Sequence, residues 1–155
     1  MRFASLGSGS KGNAWLVESG STRVMLDCGF GVREMSARLA RKGLSPCDID
    51  AVVLTHEHSD HVRGAVSFAR KAGCPIWATH GCLSMLFAQE PSDGVVARRI
   101  DGHEPFDIGD LGLRPFPVPH DAREPVQFVV DDGAHRWGLL TDAGHVTGAG
   151  GRGRV

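Results

Sequence analysis

Six consecutive residues constrain this chain more than any other part of the sequence: His56-Glu57-His58-Ser59-Asp60-His61. They follow a continuous apolar run, residues 51–55, which predicts a buried strand. They also open residues 60–72, in which apolar positions recur at helical spacing up to Gly73. The chain therefore turns from a strand into a helix through a segment rich in metal-binding side chains, which favours a fold with helices packed on a sheet.

The same segment predicts metal binding. In an extended chain His56 and His58 point to the same side, whereas Asp60 and His61 lie at the start of the helix and project differently. One small ion would accept all four only with severe backbone strain, so the spacing indicates two adjacent metal centres. The alternative is that Ser59 or Asp60 only caps the helix and that the histidines are surface residues. The segment is not an HExxH zinc site, because Asp60 occupies the position of the second histidine.

Two later residues also follow predicted strands. His120 comes after residues 113–118, and Asp142 comes after residues 137–141. Side chains at the carboxyl ends of several strands converge at one edge of a sheet. Spacing alone does not decide whether His120 and Asp142 bind metal. A lone histidine on a strand is often a hydrogen-bonded structural residue, and an aspartate in Thr-Asp-Ala-Gly fits an ordinary turn.

The remaining pattern predicts a mixed sheet covered by helices. Strands are expected at 3–6, 14–18, 23–27, 51–55, 75–79, 95–100, 113–118, 126–131 and 137–141, and helices at 32–40, 60–72 and 82–88. A length of 155 residues with 41% hydrophobic content fits one domain. The net charge of -1 provides no global basic field, so nucleic-acid binding would require a local patch such as the basic residues at 33–42.

The glycine-rich residues 7–12 match the GxGxxG pattern of dinucleotide-binding proteins. Dinucleotide binding requires a helix directly after this loop, whereas residues 14–17 predict a strand. We therefore exclude dinucleotide binding. The hydroxyl, amine and amide groups of Ser8, Ser10, Lys11 and Asn13 would instead offer donors to a phosphate if this loop faces the metals.

The cysteines and the N-terminus bear on cellular location. Cys28, Cys47, Cys74 and Cys82 lie far apart and form no CxxC pair, which predicts reduced thiols. The first six residues are too short to form the apolar stretch of a signal peptide, and no later run approaches transmembrane length. We therefore expect a cytoplasmic protein without a membrane partner.

Taken together, these motifs resemble the metallo-β-lactamase superfamily, and they are most similar to its YycJ/WalJ-like exonuclease branch. The resemblance extends to about residue 147 and rests on the HxHxDH segment together with four further stretches: Ser8-Gly9-Ser10-Lys11-Gly12-Asn13, Leu26-Asp27-Cys28-Gly29, Val118-Pro119-His120-Asp121-Ala122 and Thr141-Asp142-Ala143-Gly144-His145-Val146. It implies an α/β fold of the metallo-β-lactamase type, an αββα sandwich.

The resemblance also implies a ligand set. His56, His58 and His120 would hold a first metal, Asp60 and His61 a second, and Asp142 would bridge them; Asp60, His120 and Asp142 would also be catalytic. The mixed imidazole and carboxylate ligands suit two zinc ions, with manganese or iron as alternatives. A water or hydroxide between the ions would be the nucleophile.

The function implied by the resemblance is that of a phosphodiesterase, a DNA exonuclease with DNA as its partner. Two alternatives stay open. The first is a hydrolase of small phosphodiesters, thioesters or lactones, because one such site supports many chemistries. The second is an inactive fragment that still binds metal.

The second alternative follows from the C-terminus, where the chain departs from the resemblance. Members normally continue into further strands and helices and supply a last histidine to the second metal site. Here a domain at 1–147 is followed by a Gly- and Arg-rich tail at 148–155, for which we expect disorder. We therefore expect an incomplete sandwich, a first metal site tighter than the second, and self-association through exposed strands.

Overall fold

Two β-sheets pack face to face in the structure, a computed structural model that describes residues 1–142. The first sheet has the strand order β1-β2-β3-β4-β5-β6. Its strands are β1 (Arg2–Gly7), β2 (Ala14–Ser19), β3 (Thr22–Leu26), β4 (Ala51–Val53), β5 (Ile76–Thr79) and β6 (Ala97–Ile100). The first three strands form an antiparallel meander, and β3 to β6 are parallel to one another. The predicted mixed sheet is confirmed.

The second sheet is antiparallel and has the order β10-β9-β8-β7. Its strands are β7 (Phe106–Ile108), β8 (Leu111–Pro117), β9 (Val126–Asp131) and β10 (Arg136–Leu139). Strand β7 was not predicted from the sequence, because three residues are too few to show an alternating pattern. The turn between β7 and β8 is tied to the first sheet by the Asp110 carboxylate, which accepts hydrogen bonds from the Ser21 amide and the Thr22 hydroxyl.

Helices cover the other face of the first sheet. They are α1 (Val32–Ala40), α2 (Ser59–Val62), α3 (Ala65–Ala72) and α4 (His80–Gln89), and a short 3₁₀ helix spans Pro46–Asp48. Strand β4 shows how the layers separate. Val52 and Leu54 belong to the core beneath the helices, whereas Ala51 and Val53 belong to the core between the two sheets. This alternation follows from the two-residue period of a strand and produces successive helix, sheet and sheet layers.

The helix predicted at 60–72 is wrong in one respect, because it is broken into α2 and α3 at Gly64. The Gly64 amide donates to the Cys28 carbonyl (2.9 Å), and a Cβ at this position would lie 1.8 Å from the Phe30 carbonyl oxygen. The backbone of residues 28–30 thus crosses the helix where only glycine leaves room. The break separates the metal-binding segment from the packing helix that follows it.

Residues 143–155 lie outside the described part of the chain, and with them His145, the domain limit at 147 and the tail at 148–155. Within residues 1–142, no helix has the length and apolar character that a membrane-spanning helix requires.

Candidate metal centre

Three histidines converge where the strands of both sheets end. His56 follows β4, His58 immediately precedes α2, and His120 lies between β8 and β9. The two sheets are joined beside them by the hydrogen bond from the Val126 amide to the Thr55 carbonyl (3.0 Å). This junction brings His120, which is 62 residues beyond His58, to the metal-binding segment.

The geometry of these three imidazoles fits a metal. His120 Nε2 lies 3.2 Å from His56 Nε2 and 3.1 Å from His58 Nδ1. Nitrogen ligands about 2.0–2.1 Å from a tetrahedral zinc are about 3.3 Å apart. Three ring nitrogens converging at this spacing form one face of such a tetrahedron, and the ligand atoms of this cluster all lie within 4.8 Å of one another.

A second cluster lies beside the first and is centred on His61. The ligand atoms of His56, His61 and Asp142 also lie within 4.8 Å of one another. His61 Nε2 is 2.6 Å from Asp142 Oδ2 and 3.5 Å from Asp60 Oδ2. The structure therefore brings all six sequence-predicted ligands to one edge of the sandwich, in two adjacent groups.

The charge around His61 also suits a cation. Burial alone would lower the pKa of His61, but the hydrogen bond and charge of Asp27, together with the charges of Asp60 and Asp142, raise the pKa above its ordinary value. Three carboxylates thus surround one fully buried imidazole. An environment that favours a proton on His61 also favours a divalent cation at the same position.

His56 has the opposite environment. Burial, with smaller contributions from His61, His120 and His58, lowers the pKa of His56 to about 3. Its imidazole is therefore neutral in ordinary buffers, as metal ligation requires. The hydroxyl of Thr55 lies 2.9 Å from His56 Nδ1, which leaves Nε2 directed at the cluster.

Asp27 is the functional residue that the sequence analysis missed, since it appeared there only as part of a motif. It is completely buried, and its Oδ2 lies 2.7 Å from His61 Nδ1. The same carboxylate accepts hydrogen bonds from the Thr55 amide (2.8 Å) and the Thr55 hydroxyl (2.9 and 3.0 Å). Because the Thr55 hydroxyl donates to Asp27, it accepts the Nδ1 proton of His56. Asp27 therefore orients His61 directly and His56 through Thr55.

The glycine-rich first loop contacts this centre through its last residue. Asn13 is buried, and its Nδ2 lies 3.2 Å from Asp60 Oδ2 and 3.1 Å from His61 Nε2. The Asn13 amide donates to the Asp60 carbonyl (2.7 Å). A Cβ on Gly29 would lie 1.8 Å from that same carbonyl oxygen, so glycine is required there. Ser8, Ser10 and Lys11 are exposed.

Three further histidines, His80, His103 and His135, are exposed. None of them joins the two clusters recorded within residues 1–142.

The family model described as the beta-lactamase superfamily domain matches residues 22–153 of the chain. The chain belongs to the metallo-β-lactamase superfamily. The fold predicted from the resemblance is thereby confirmed, and divalent metal binding is what membership of this superfamily implies for the His and Asp clusters.

Two exodeoxyribonuclease relatives match nearly all of this chain, which spans only about half of their length. It is 30% identical over 150 residues to exodeoxyribonuclease YycJ of Bacillus anthracis, which covers 95% of this chain and 56% of that protein. It is 31% identical over 156 aligned positions to exodeoxyribonuclease WalJ of Streptococcus pneumoniae, covering 94% of this chain and 55% of that protein.

Among solved structures of the superfamily, the chain is similar to MEM-A1, a subclass B3 metallo-β-lactamase isolated from a soil metagenome library. The TM-score is 0.70 at 19% identity, and the match covers 88% of this chain and 58% of that one. At this identity the likeness concerns the fold alone.

Proposed function

We propose that this chain is a metal-dependent phosphodiesterase that shortens DNA from its ends. The observation that carries the proposal is the convergence of three imidazole nitrogens at separations of 3.1 and 3.2 Å beside a second His and Asp cluster. The names of the two exodeoxyribonuclease relatives support DNA as the substrate.

In this proposal His56, His58 and His120 hold the first of two metals. His61, Asp60 and Asp142 hold the second, with Asp142 also facing the first. Zinc is the proposed metal because imidazole and carboxylate ligands suit it, and manganese and iron are the alternatives. When bound, two such metals lower the pKa of a water molecule and neutralise the charge that develops on a phosphate oxygen.

The side chains of the centre also have roles of their own. Asn13 Nδ2 donates a hydrogen bond to Oδ2 of Asp60 and holds this carboxylate in place. We assign the other oxygen of Asp60 to accepting a proton from the attacking water, which would orient that water toward the phosphate. The Asp142 side chain is 42% exposed, so the substrate would approach from its side. Asp27 would keep both buried histidines in the orientation that ligation needs.

We also assign the protein to the cytoplasm. All four cysteines are free, which fits a reducing compartment, and DNA is its proposed partner there.

The test is metal content followed by a nuclease assay. We expect elemental analysis to find metal in the wild type and less in His58→Ala, while His135→Ala, which alters an exposed histidine outside both clusters, retains it. End-labelled single- and double-stranded oligonucleotides should then yield a ladder of progressively shorter products in the presence of zinc or manganese. Cleavage of small esters alone would favour the alternative hydrolase, and a wild type that binds metal but cleaves neither substrate would favour the inactive fragment. A folded wild type that binds no metal would contradict the proposal.

A further inference from the structure

A cavity of about 750 Å³ lies at the same edge of the first sheet as the candidate metal centre. Strands β4, β5 and β6 are parallel neighbours, and His56, His80 and Asp101 follow their carboxyl ends in that order. Adjacent strands are about 4.8 Å apart, so the cavity begins about 5 to 10 Å from the strand end that carries His56. Ligands of α/β proteins bind in crevices at such strand ends.

The second wall of the cavity belongs to the loop that carries His120. Val118, Glu124 and Pro125 line the cavity, and His120 lies between them in the sequence. Two contacts hold this loop against the end of β5 and the start of α4. The Thr79 hydroxyl donates to the Glu124 carbonyl (3.0 Å), and the Gly81 amide donates to the Glu124 carboxylate. The cavity and the metal centre therefore share one loop, which these hydrogen bonds anchor.

The polar groups of the cavity differ in how they are partnered. Its ionisable and hydroxyl-bearing residues are Thr79, His80, Arg99, Asp101, His103 and Glu124. The two acids are engaged: Asp101 Oδ1 accepts the His103 amide (2.8 Å), and Glu124 accepts the Gly81 amide. The guanidinium of Arg99 and the rings of His80 and His103 have no hydrogen-bond or ion-pair partner among residues 1–142.

Asp101 and Glu124 keep their negative charges, so an anionic ligand would be held by the donors that have no partner: the guanidinium of Arg99 and the rings of His80 and His103. The guanidinium of Arg99 offers a planar fork of N–H donors that matches two oxygens of a phosphate. The imidazoles of His80 and His103 each offer at least one N–H donor in either protonation state. These three donor groups form the part of the cavity that is suited to a phosphate.

We propose that this cavity binds a phosphate of the DNA strand that lies one to three nucleotides from the phosphodiester at the metal centre, with Arg99 as its main contact. The proposal rests on the proposed function and names the part of the substrate that this surface recognises. Phosphates of one strand recur about every 3.4 Å along the axis, so one to three nucleotides span the separation between the two sites. The cavity thus contacts the phosphate backbone of the strand and not its bases.

The chain contains a matched control for this residue. Arg98 and Arg99 are adjacent on β6, and both are exposed. Successive side chains of a strand point to opposite faces, and Arg99 lines the cavity whereas Arg98 does not. Arg98→Ala and Arg99→Ala therefore remove the same charge from the same strand, but only the second removes a group from the cavity.

The test measures binding of a fluorescein-labelled single-stranded DNA oligonucleotide to the full chain by fluorescence anisotropy at several salt concentrations. We expect Arg99→Ala to raise Kd about tenfold and to reduce the slope of log K against log salt by about one. Arg98→Ala should stay within about twofold of the wild type. Equal losses in both variants, or none in Arg99→Ala, would overturn the proposal.

Two further measurements distinguish failure of the phosphate subsite from failure of the proposed function and from a site for small anions. Metal-dependent hydrolysis of bis(p-nitrophenyl) phosphate, which has a single phosphate, should be unchanged in Arg98→Ala, since Arg98 does not line the cavity. If the wild type shows neither this hydrolysis nor oligonucleotide cleavage while Arg99-dependent DNA binding persists, the proposed function fails and the phosphate subsite stands. Titration with inorganic phosphate covers the other source of the ligand. Arg99-dependent binding of inorganic phosphate, without Arg99-dependent DNA binding, would overturn the proposal in favour of a small-anion site.

Discussion

Replacing Asp27 by asparagine tests how the buried carboxylate supports the metal centre. Asparagine accepts the left-handed backbone that Asp27 adopts (φ 61°) about as readily as aspartate, so the backbone should be preserved. The change removes the charge and converts one acceptor oxygen into an NH2 donor. In the wild type, the Thr55 amide and the Nδ1 of His61 both donate to Asp27. The new NH2 group therefore faces one of these two donors and cannot accept its hydrogen bond.

The expected magnitude follows from the bond that is lost. A hydrogen bond to a charged group contributes about 1.5–3 kcal/mol. If the NH2 group faces His61, the imidazole moves its proton to Nε2, the nitrogen that faces Asp60 and Asp142. We therefore expect the second metal to bind about 10- to 100-fold more weakly. The first metal should be affected less than about tenfold, because the Thr55 hydroxyl can still donate to the amide oxygen of the new side chain.

The assay is a competitive zinc titration against a chromophoric chelator, which resolves the two binding steps. Asp107→Asn is the control, since Asp107 is exposed on β7 and the substitution removes the same charge away from the centre. Urea unfolding of the metal-free variants would separate weakened metal binding from loss of fold. The reasoning is refuted if Asp27→Asn binds both metals within twofold of the wild type while Asp107→Asn does the same.

Three further predictions concern packing, thiols and acid stability. Gly29→Ala places a methyl group against the Asp60 carbonyl, so we expect weaker metal binding and a loss of about 1–3 kcal/mol in unfolding free energy, measured by urea titration. The control is Gly138→Ala, whose methyl group meets open space and should change the unfolding free energy by less than about 0.5 kcal/mol. A thiol-specific chromogenic reagent should label only Cys47 in the native chain, because burial raises the pKa of the three other cysteines. Fast labelling of a second thiol would contradict this prediction. The backbone amide and the hydroxyl of Ser45 donate hydrogen bonds to Asp48 and lower its pKa from 3.8. The contribution of Asp48 to stability is therefore present above that value and is lost as the pH falls through the folded-state pKa. The difference in unfolding free energy between wild type and Asp48→Asn should therefore shrink between about pH 5 and about pH 2, and a constant difference would count against that pairing.

Features that depend on neighbouring residues could be predicted from the sequence. The two-residue period of β9 predicted its bounds, Val126–Asp131, as the structure has them. The strand, turn and helix around His56–His61 were predicted for the same reason, since strand and helix periods are local properties. The resemblance added the fold class, because it joins this segment to the stretches around His120 and Asp142.

Features that depend on distant contacts could not be predicted. Nothing local marks Gly64 as a helix break, because its cause is the backbone of residue 30 crossing the helix. Asp27 gives no sign in the sequence that it holds His61, which is 34 residues away. Arg99 and His80 are ordinary exposed residues until parallel strands bring their ends together.

The amino-acid sequence was sufficient to predict which side chains could bind metal, because the ligands of the HxHxDH segment and the periods of the strands and helices around it lie within a few residues of each other. It was not sufficient to predict how those ligands are oriented or which surface lies beside them. Those properties arise when the two sheets pack together, since a buried carboxylate such as Asp27 acts only on groups that folding brings within hydrogen-bond distance.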